Sequence, residues 1–364
     1  MAKKDFLGQA YRKLYTLIVK NNKLITAAKP NVTKNSAGYY LWNVWDKKTG
    51  IFDLTKLFVG SQGTLGLITE ITARLVYPQK HSRLAVVFLK NLDPLVEITQ
   101  AALKYKPESF ESYDDHTLKV ALRFFPSFFR LMKAKNAISF ALQFLPEFWM
   151  VLTSGLPKLI LLIELASDDE AELTDRMARL QNELEQFRTH FHIKMRITKS
   201  EAETEKYWAM RRESFNLLRH RIKDRQTVPF IDDVVVHPDQ LEDFLPALNK
   251  ILEPYGDKMI YTIAGHVGDA NFHIIPLMVL RDPETPKIIR DVSEKVYALV
   301  KEFNGSITGE HNDGLIRTPY LELMYGKKIV KLFEEVKKIF DPLGIFNPRK
   351  KVKGDLEYAL RHIK

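Results

Sequence analysis

Apolar side chains recur at helical spacing near the start of the chain. Between Asp5 and Asn21, one face of such a helix would carry Phe6, Leu7, Ala10, Tyr11, Leu14, Tyr15 and Ile18. This periodicity predicts an amphipathic helix over that stretch. A polar, turn-rich region follows it.

From Arg83 onward the pattern alternates between strand and helix. Strands are predicted at 83–89, near Phe110, and at 159–165, 193–197, 230–236, 259–264 and 271–277. Helices are predicted at 94–105, 168–189, 208–218, 238–252 and 286–303. These β-α-β groups predict sheets covered by helices on one face, which is a ferredoxin-like α+β arrangement.

A basic, aromatic insertion interrupts this pattern at about residues 118–157. Its aromatic residues are Phe124, Phe125, Phe128, Phe129, Phe140, Phe144, Phe148 and Trp149. Lysines and arginines accompany them, and Glu147 is the single acid in the group. A stretch of this kind can lie in a membrane interface. We favour the alternative that it is a helical insertion whose aromatic residues pack on the domain.

Composition narrows the function classes. The 364-residue chain has a formal net charge of +10 and no cysteine. Disulfides, iron–sulfur clusters and thiolate nucleophiles are therefore excluded, and the charge favours an acidic partner or ligand. The basic residues are dispersed and accompany no nucleic-acid-binding module, so we expect no nucleic-acid partner. We expect a cytoplasmic protein and leave contact with the inner face of the membrane open.

Two short segments carry the clearest chemistry. In residues 265–273, His266 and His273 bracket a tight turn, and Gly309 is followed by Glu310 and His311. The turn allows both imidazoles to converge, although they are seven residues apart. Together these side chains could bind a divalent metal and leave one histidine for acid–base chemistry.

A glycine-rich loop spans residues 60–66 and reads Gly-Ser-Gln-Gly-Thr-Leu-Gly. Its glycines allow close approach of the backbone to a ligand. The spacing matches neither the phosphate-binding loop of nucleoside triphosphatases nor the dinucleotide fingerprint. Taken alone, such a loop is more often structural than functional.

These segments occur together with Lys34 to Tyr39, Phe340-Asp341-Pro342 and Phe346-Asn347-Pro348. In order and spacing they resemble the flavin-linked oxidase family that includes D-lactate dehydrogenases, the flavin-binding component of glycolate oxidase and D-2-hydroxyglutarate dehydrogenase. The resemblance covers nearly the whole chain. It implies the vanillyl-alcohol-oxidase fold, with the C-terminal part of a p-cresol-methylhydroxylase (PCMH)-type FAD-binding domain and a ferredoxin-like α+β substrate (cap) domain.

The resemblance implies FAD as the cofactor and locates its contacts. They would be Lys34, Asn35, Ser36, Gly38, Tyr39, Gly60, Ser61, Gly63, Thr64, Gly66, Ile68, Asn271 and Asn347. It also implies three domain segments: residues 1–80 in the FAD-binding domain, 81–305 in the cap domain, and 306–364 returning to the flavin site.

The same resemblance assigns the catalytic residues. His266, His273 and Glu310 would bind a divalent metal, with zinc, iron or manganese compatible with two nitrogens and one oxygen. His311 would take the hydroxyl proton of a 2-hydroxy acid while hydride passes to the flavin. Arg211, in a Trp-x-x-Arg segment, would bind the substrate carboxylate.

The implied activity is oxidation of a small D-2-hydroxy acid, such as D-lactate, glycolate or D-2-hydroxyglutarate, to the 2-oxo acid. A quinone, a cytochrome or an electron-transfer flavoprotein would accept the electrons. Family members carry a further flavin-binding lobe before the Lys34 segment, so we expect a truncated or split enzyme. The alternatives are a catalytically silent metal-binding subunit that completes another chain's flavin site, and a flavoenzyme similar to alkyl-glycerone-phosphate synthase.

Four positions depart from the family pattern. Gln62 replaces a glutamate, whereas Ala270, Asn312 and Arg349 replace glycines. Each of these last three would crowd a position where relatives keep the backbone bare.

Overall fold

The computed structural model of the chain describes residues 4–123, 145–191, 193–221 and 224–363. Six of the aromatic residues assigned to the insertion therefore lie outside the described residues: Phe124, Phe125, Phe128, Phe129, Phe140 and Phe144. Two compact units are present. Unit 1 contains residues 1–75, 233–236 and 286–364, and unit 2 contains residues 76–232 and 237–285.

Unit 1 is mainly helical. Its helices are α1 (Phe6–Lys20), α2 (Asn22–Ala27), α3 (Thr55–Phe58), α10 (Thr285–Glu302, from Pro286 onward), α11 (Gly314–Arg317), α12 (Leu321–Tyr325), α13 (Lys327–Phe340) and α14 (Leu356–Arg361). The amphipathic helix predicted at the start of the chain is confirmed as α1. Its N-cap is Asp5, whose side chain accepts the backbone N–H of Gly8 over 2.8 Å.

Unit 2 contains an antiparallel sheet and its covering helices. The strands are β1 (His81–Leu89), β2 (Ser109–Asp114), β3 (Leu159–Ser167), β4 (Lys194–Ile197), β5 (Gln226–Thr227), β7 (Met259–His266) and β8 (Asn271–Met278). The helices are α4 (Leu95–Leu103), α5 (Asp115–Arg123), α6 (Leu145–Ser154), α7 (Glu170–Phe191), α8 (Glu201–Arg221) and α9 (Leu241–Leu252).

The strand order of this sheet is β4-β1-β3-β2-β7-β8-β5. β1 to β4 follow the β-α-β-β-α-β order, with α5 and α6 inserted between β2 and β3, so the predicted ferredoxin-like arrangement is confirmed. β1 pairs with β3 along its whole length, from His81 opposite Ser167 to Leu89 opposite Leu159.

Helices cover both faces of the sheet, and the prediction of one covered face was wrong. On one face Leu84, Val86 and Phe88 pack in a cluster that includes Tyr207 and Ala209 of α8. The intervening residues of β1 are equally buried, and α7 contacts β1 and β3. The continuous apolar run in β1 is typical of a strand that is buried on both faces, so the sequence did carry a signal for the second covered face.

The insertion helix α6 is anchored to α8 by its acid. Glu147 lies 2.9 Å from the Nζ atom of Lys206, a fully buried lysine, and accepts the hydroxyl of Tyr207. Phe148 and Trp149 are instead 62% and 65% exposed. Core packing, the favoured interpretation of the insertion, is therefore wrong for these two residues.

One predicted strand is much shorter in the structure. The stretch predicted at 230–236 contains only β6 (Val234–Val235), because Asp233 has φ of 74° and interrupts extended backbone. Residues 67–77 alternate apolar and polar side chains as strands do, yet form no strand within the described structure. Leu67, Leu75 and Tyr77 are more than four-fifths exposed there. Within the described ranges, no helix is long and apolar enough to cross a membrane.

Candidate active site

In unit 2, the hairpin formed by β7 and β8 brings His266 and His273 together. β7 ends at His266, a single 3-10 turn follows, and β8 begins at Asn271. Within the hairpin His266 faces Asn271, and His273 faces Ala264. The two histidines are therefore diagonal neighbours on one face of the ladder. Their ring centroids are 5.2 Å apart, at an interplanar angle of 87°.

His266 is held by a carboxylate on the neighbouring strand. Its Nδ1 atom lies 2.6 Å from Oε1 of Glu111, in the middle of β2. The other carboxylate oxygen of Glu111 lies 2.6 Å from Nη2 of Arg211 on α8. Glu111 is buried, so the ion pair with Arg211 offsets the cost of removing its charge from water.

His273 has an equivalent partner. Its Nδ1 atom lies 3.2 Å from Oδ1 of Asp232, which is also buried. When Nδ1 of an imidazole donates to a carboxylate, Nε2 carries the lone pair that can bind a metal. Carboxylate–histidine pairs of this kind commonly support metal ligands, because they fix the tautomer and orient the ring. The donor set of unit 2 therefore fits a divalent metal held through His266 and His273.

In unit 1, Asp233 organises the loop that carries Glu310 and His311. One of its carboxylate oxygens accepts the backbone N–H groups of Glu310 over 2.8 Å and of His311 over 2.7 Å. The same oxygen accepts the hydroxyl of Thr308 over 2.6 Å. The backbone carbonyl of Asp233 accepts the N–H of Gly309 over 3.0 Å. Asp233 is fully buried, whereas the side chain of His311 is exposed.

The Lys34 to Tyr39 turn packs against this loop. Lys34 forms an ion pair of 2.5 Å with Glu310. The hydroxyl of Ser36 accepts the backbone N–H of Asn312 over 3.1 Å, and the Ser36 N–H donates to the carbonyl of Thr308 over 3.0 Å. Two motifs separated by more than 270 residues are thus joined through backbone and side-chain contacts.

A buried lysine links the turn to the end of the chain. Nζ of Lys351 donates to the carbonyls of Ser36 and Gly38 over 2.7 Å and 2.9 Å. It also lies 3.0 Å from the carboxylate of Asp313. Burial lowers the pKa of Lys351, and the charge of Asp313 opposes that shift. Asp313 in turn accepts the N–H of Gly38 over 2.9 Å, so the pair closes the turn.

The glycine-rich loop is held by hydrogen bonds on its buried side, and Gly63 and Gly66 face open space. The Thr64 hydroxyl lies 2.6 Å from that of Tyr39 and points into the core, where burial raises the pKa of Tyr39. Gly63 and Gly66 have φ of 66° and 148°, and a Cβ atom at either would meet no atom within 4 Å. Asn347 donates to the carbonyl of Gln62 over 2.6 Å. A loop with bare glycines and a fixed interior fits close approach of a planar cofactor.

The structure thus groups the sequence-predicted residues by unit. Unit 1 holds Lys34, Asn35, Ser36, Gly38, Tyr39, Gly60, Ser61, Gly63, Thr64, Gly66, Ile68, Glu310, His311 and Asn347. Unit 2 holds Arg211, His266, Asn271 and His273. Of these, Asn271 is fully buried and Ile68 is more than half exposed.

Five residues that organise these groups were missed by the sequence analysis: Glu111, Asp232, Asp233, Asp313 and Lys351. A signal existed for two of them. Asp232 and Asp233 stand between Phe230-Ile231 and Val234-Val235-Val236. Acids inside an apolar run are buried at a cost unless they have partners, so such a pair marks a site.

The comparison with family models matches residues 78–351 to the family described as FAD linked oxidases, C-terminal domain. A D-2-hydroxyglutarate dehydrogenase of Escherichia coli (strain K12) is 26% identical over 94% of this chain and 32% of its own length. The glycolate oxidase subunit GlcD of Bacillus subtilis (strain 168) is 27% identical over 82% of this chain and 57% of its own length. The chain spans about a third of the length of the first of these relatives.

Among solved structures, p-cresol methylhydroxylase with substrate bound superposes with a TM-score of 0.51 and 15% sequence identity. The match covers 77% of this chain and 54% of that protein. At this identity the likeness establishes the fold alone, and it confirms the PCMH-type architecture.

Proposed function

Because this chain belongs to the family of FAD linked oxidases through their C-terminal domain, we propose that it takes part in FAD-dependent oxidation of a D-2-hydroxy acid to the 2-oxo acid. The named activities of its relatives, on D-2-hydroxyglutarate and glycolate, support that substrate class. The proposed cofactors are FAD and a divalent metal, with zinc, iron or manganese as candidates.

The observation that carries this proposal is the pair of carboxylate-bound histidines. His266 and His273 lie side by side, and the Nδ1 atom of each faces a buried carboxylate. An imidazole in a merely structural role needs no such matched arrangement. Glu310 enters the proposal as a third ligand from the sequence motif alone.

The proposed chemistry divides between the bound groups and the chain. A metal held there would stabilise negative charge developing on the substrate hydroxyl oxygen. Bound FAD would accept the hydride. His311 would accept the hydroxyl proton, and the Asp233 carboxylate would fix the backbone from which the His311 imidazole extends.

For Arg211 the geometry favours a role other than direct binding of the substrate carboxylate. Its Nη2 atom is engaged with Glu111, which holds His266. We therefore propose that Arg211 positions Glu111 and, through it, the metal ligand His266.

Two alternative functions have distinct signatures. A catalytically silent subunit would keep the histidine pair and the metal but would bind no FAD by itself. The proposed electron acceptors remain a quinone, a cytochrome or an electron-transfer flavoprotein.

The test is spectroscopic. Purified protein is supplied with FAD, and its metal content and visible flavin absorbance are recorded. D-lactate, glycolate and D-2-hydroxyglutarate are then added with an artificial dye acceptor. Bleaching of bound flavin by one hydroxy acid supports the proposal, whereas metal without flavin favours the silent subunit. A lipid product without net electron transfer would favour the synthase-like alternative.

Variants assign the roles. His311→Ala should abolish flavin reduction and leave metal bound, whereas His266→Ala should lose both. His362→Ala, at an exposed histidine on the C-terminal side of α14, is the matched control and should keep both. Full activity in His311→Ala or in His266→Ala contradicts the assignment.

A further inference from the structure

A basic groove runs between α1 and α13 in unit 1. It has a volume of about 900 Å³. Its walls carry six cationic side chains, and Glu335 is the one carboxylate among its lining residues. The cations are Arg12, Lys13, Lys20, Lys328, Lys331 and Lys338. The five lysines are exposed and have no ion-pair partner among the residues that the structure describes.

The floor of the groove is apolar. Leu17 and Leu332 lie at its base with little surface left open, whereas Leu24 and Ile339 are half-buried and Pro342 is exposed, so these three residues offer apolar surface to a ligand. On α13 the lysines extend from Lys328 to Lys338, which corresponds to about 15 Å along the helix axis. The groove therefore combines two basic walls with a linear apolar base.

We propose that this groove binds an acidic amphipathic helix of a partner protein. Such a helix presents an apolar stripe flanked by carboxylates, and it matches both the floor and the walls. A single phosphate would engage a small part of a row about 15 Å long. A bilayer is flat and would leave the concave floor uncovered, and a nucleic-acid backbone would gain nothing from the apolar surface of the floor.

The groove lies near the glycine-rich loop, so a docked protein could accept electrons from the flavin. This step rests on the proposed function. On the buried side of α13, Nζ of Lys337 donates to the carbonyls of Thr64 and Phe346, each over 2.6 Å. The helix that forms one wall of the groove thus supports the glycine-rich loop. A protein docked in the groove would lie about one helix diameter, roughly 10 Å, from that loop. An acidic electron-acceptor protein needs such a position.

Binding is tested on the whole chain without added FAD, so that the result does not depend on flavin chemistry. The probe is a fluorescent amphipathic peptide of about 14 residues, long enough to span the groove as a helix, with glutamates flanking a leucine stripe. Two control peptides replace the glutamates by glutamine or scramble the order of residues. Fluorescence anisotropy gives the Kd at low and high salt.

Lys13→Glu/Lys331→Glu should weaken binding of the acidic peptide at least tenfold. Lys47→Glu/Lys48→Glu makes the same charge change at exposed lysines elsewhere in unit 1 and should leave the Kd within twofold. Lys13→Gln/Lys331→Gln keeps the test valid should the reversal fail to fold. High salt should weaken binding to the wild-type protein.

Four results would overturn the proposal. They are equal binding by the groove variant and its control, equal binding of the glutamine peptide, equal binding of the scrambled peptide, and preferential binding of phosphatidylglycerol vesicles or a short DNA duplex. Failure of flavin reduction in the separate spectroscopic test would leave the groove proposal standing and would remove only its assignment to an electron acceptor.

Discussion

Asp233 holds the backbone of His311 through a hydrogen bond of 2.7 Å from the His311 N–H to the Asp233 carboxylate. Asp233 adopts φ of 74°, a positive value that is uncommon outside glycine and is found most often for asparagine, aspartate and histidine. One carboxylate oxygen then accepts three hydrogen bonds from the loop, and these bonds hold the shape of the loop.

Replacement of Asp233 by glycine should destabilise unit 1 by about 2 to 4 kcal/mol, because three donors lose a charged acceptor. Glycine adopts the same φ without strain, and its greater freedom in the unfolded chain accounts for only about 0.4 to 1 kcal/mol of the loss. Asp233→Asn keeps an acceptor and should lose about half as much. Urea unfolding measures both variants. A change below about 0.5 kcal/mol in Asp233→Gly, the size of an ordinary surface effect, would contradict the role given to this side chain.

Glu111→Gln should weaken metal binding about 10- to 100-fold, the usual effect of losing a carboxylate that supports a histidine ligand. The measurement is calorimetric titration with Zn²⁺, Mn²⁺ and Fe²⁺. Glu108→Gln, at an exposed acid just before β2, is the matched control and should leave the affinity unchanged. Equal affinities in both variants would remove Glu111 from the proposed metal site.

Gly63→Ala should weaken FAD binding more than it weakens the fold. The added Cβ meets no protein atom within 4 Å, so its cost to stability is the left-handed backbone at φ 66°, about 1 kcal/mol. Gly50, at φ 72° and also in open space, is the matched control with the same strain. If Gly50→Ala and Gly63→Ala bind FAD equally, the loop does not approach the flavin.

The secondary structure was largely predictable, because strands such as β1 and helices such as α1 carry their periodicity in a single local stretch. The convergence of the histidines was also predictable, because only a turn lies between His266 and His273. The buried role of Lys351 could not be predicted, because a lone lysine near the end of a basic chain is usually a solvated residue. Its partner Asp313 is 38 residues away, and only tertiary packing brings the two together.

The backbone conformation explains why relatives have glycine at three of the positions that depart from the family pattern. Ala270, Asn312 and Arg349, where relatives have glycine, have φ of 48°, 63° and 63°. From the sequence, these three side chains were expected to crowd positions where relatives keep the backbone bare. The structure shows left-handed conformations, which favour glycine for a reason internal to each residue. The fold sets the φ angles of these residues, so they could not be predicted from this sequence alone.

Asp341 should make stability sensitive to acid. Burial alone raises its pKa, but hydrogen bonds from Lys337 and from the backbone N–H groups of Phe346 and Ile345 outweigh that effect and lower the pKa. A carboxyl with a lower pKa in the folded state stabilises the fold above its unfolded pKa of about 3.9. That stability is lost as pH falls through the folded pKa.

The measurement is the urea midpoint of unit 1 between about pH 6 and about pH 3, a range that spans the ordinary pKa of aspartate. Asp341→Asn should lower the midpoint at the upper end and flatten its fall toward acid. Asp243→Asn, at an exposed position on α9, should keep the wild-type profile. An unaltered acid dependence in Asp341→Asn would show that other carboxyls govern it.

Ala270→Gly should leave the stability of unit 2 nearly unchanged, although Ala270 occupies a left-handed conformation with φ of 48° and ψ of 39° in the turn between the two histidines. Relief of the strain is worth about 1 to 2 kcal/mol, and the greater freedom of glycine in the unfolded chain returns about 0.4 to 1 kcal/mol of it. The methyl group of Ala270 is fully buried, so its loss returns about 0.8 kcal/mol more, and urea unfolding should show a net change close to zero. Ala264→Gly, within β7, should lose about 0.5 to 1 kcal/mol instead, since extended backbone gives glycine no advantage. A loss in Ala270→Gly as large as that in Ala264→Gly would show that the turn is not held in the left-handed conformation, and the placement of the His266 and His273 rings would need a different cause.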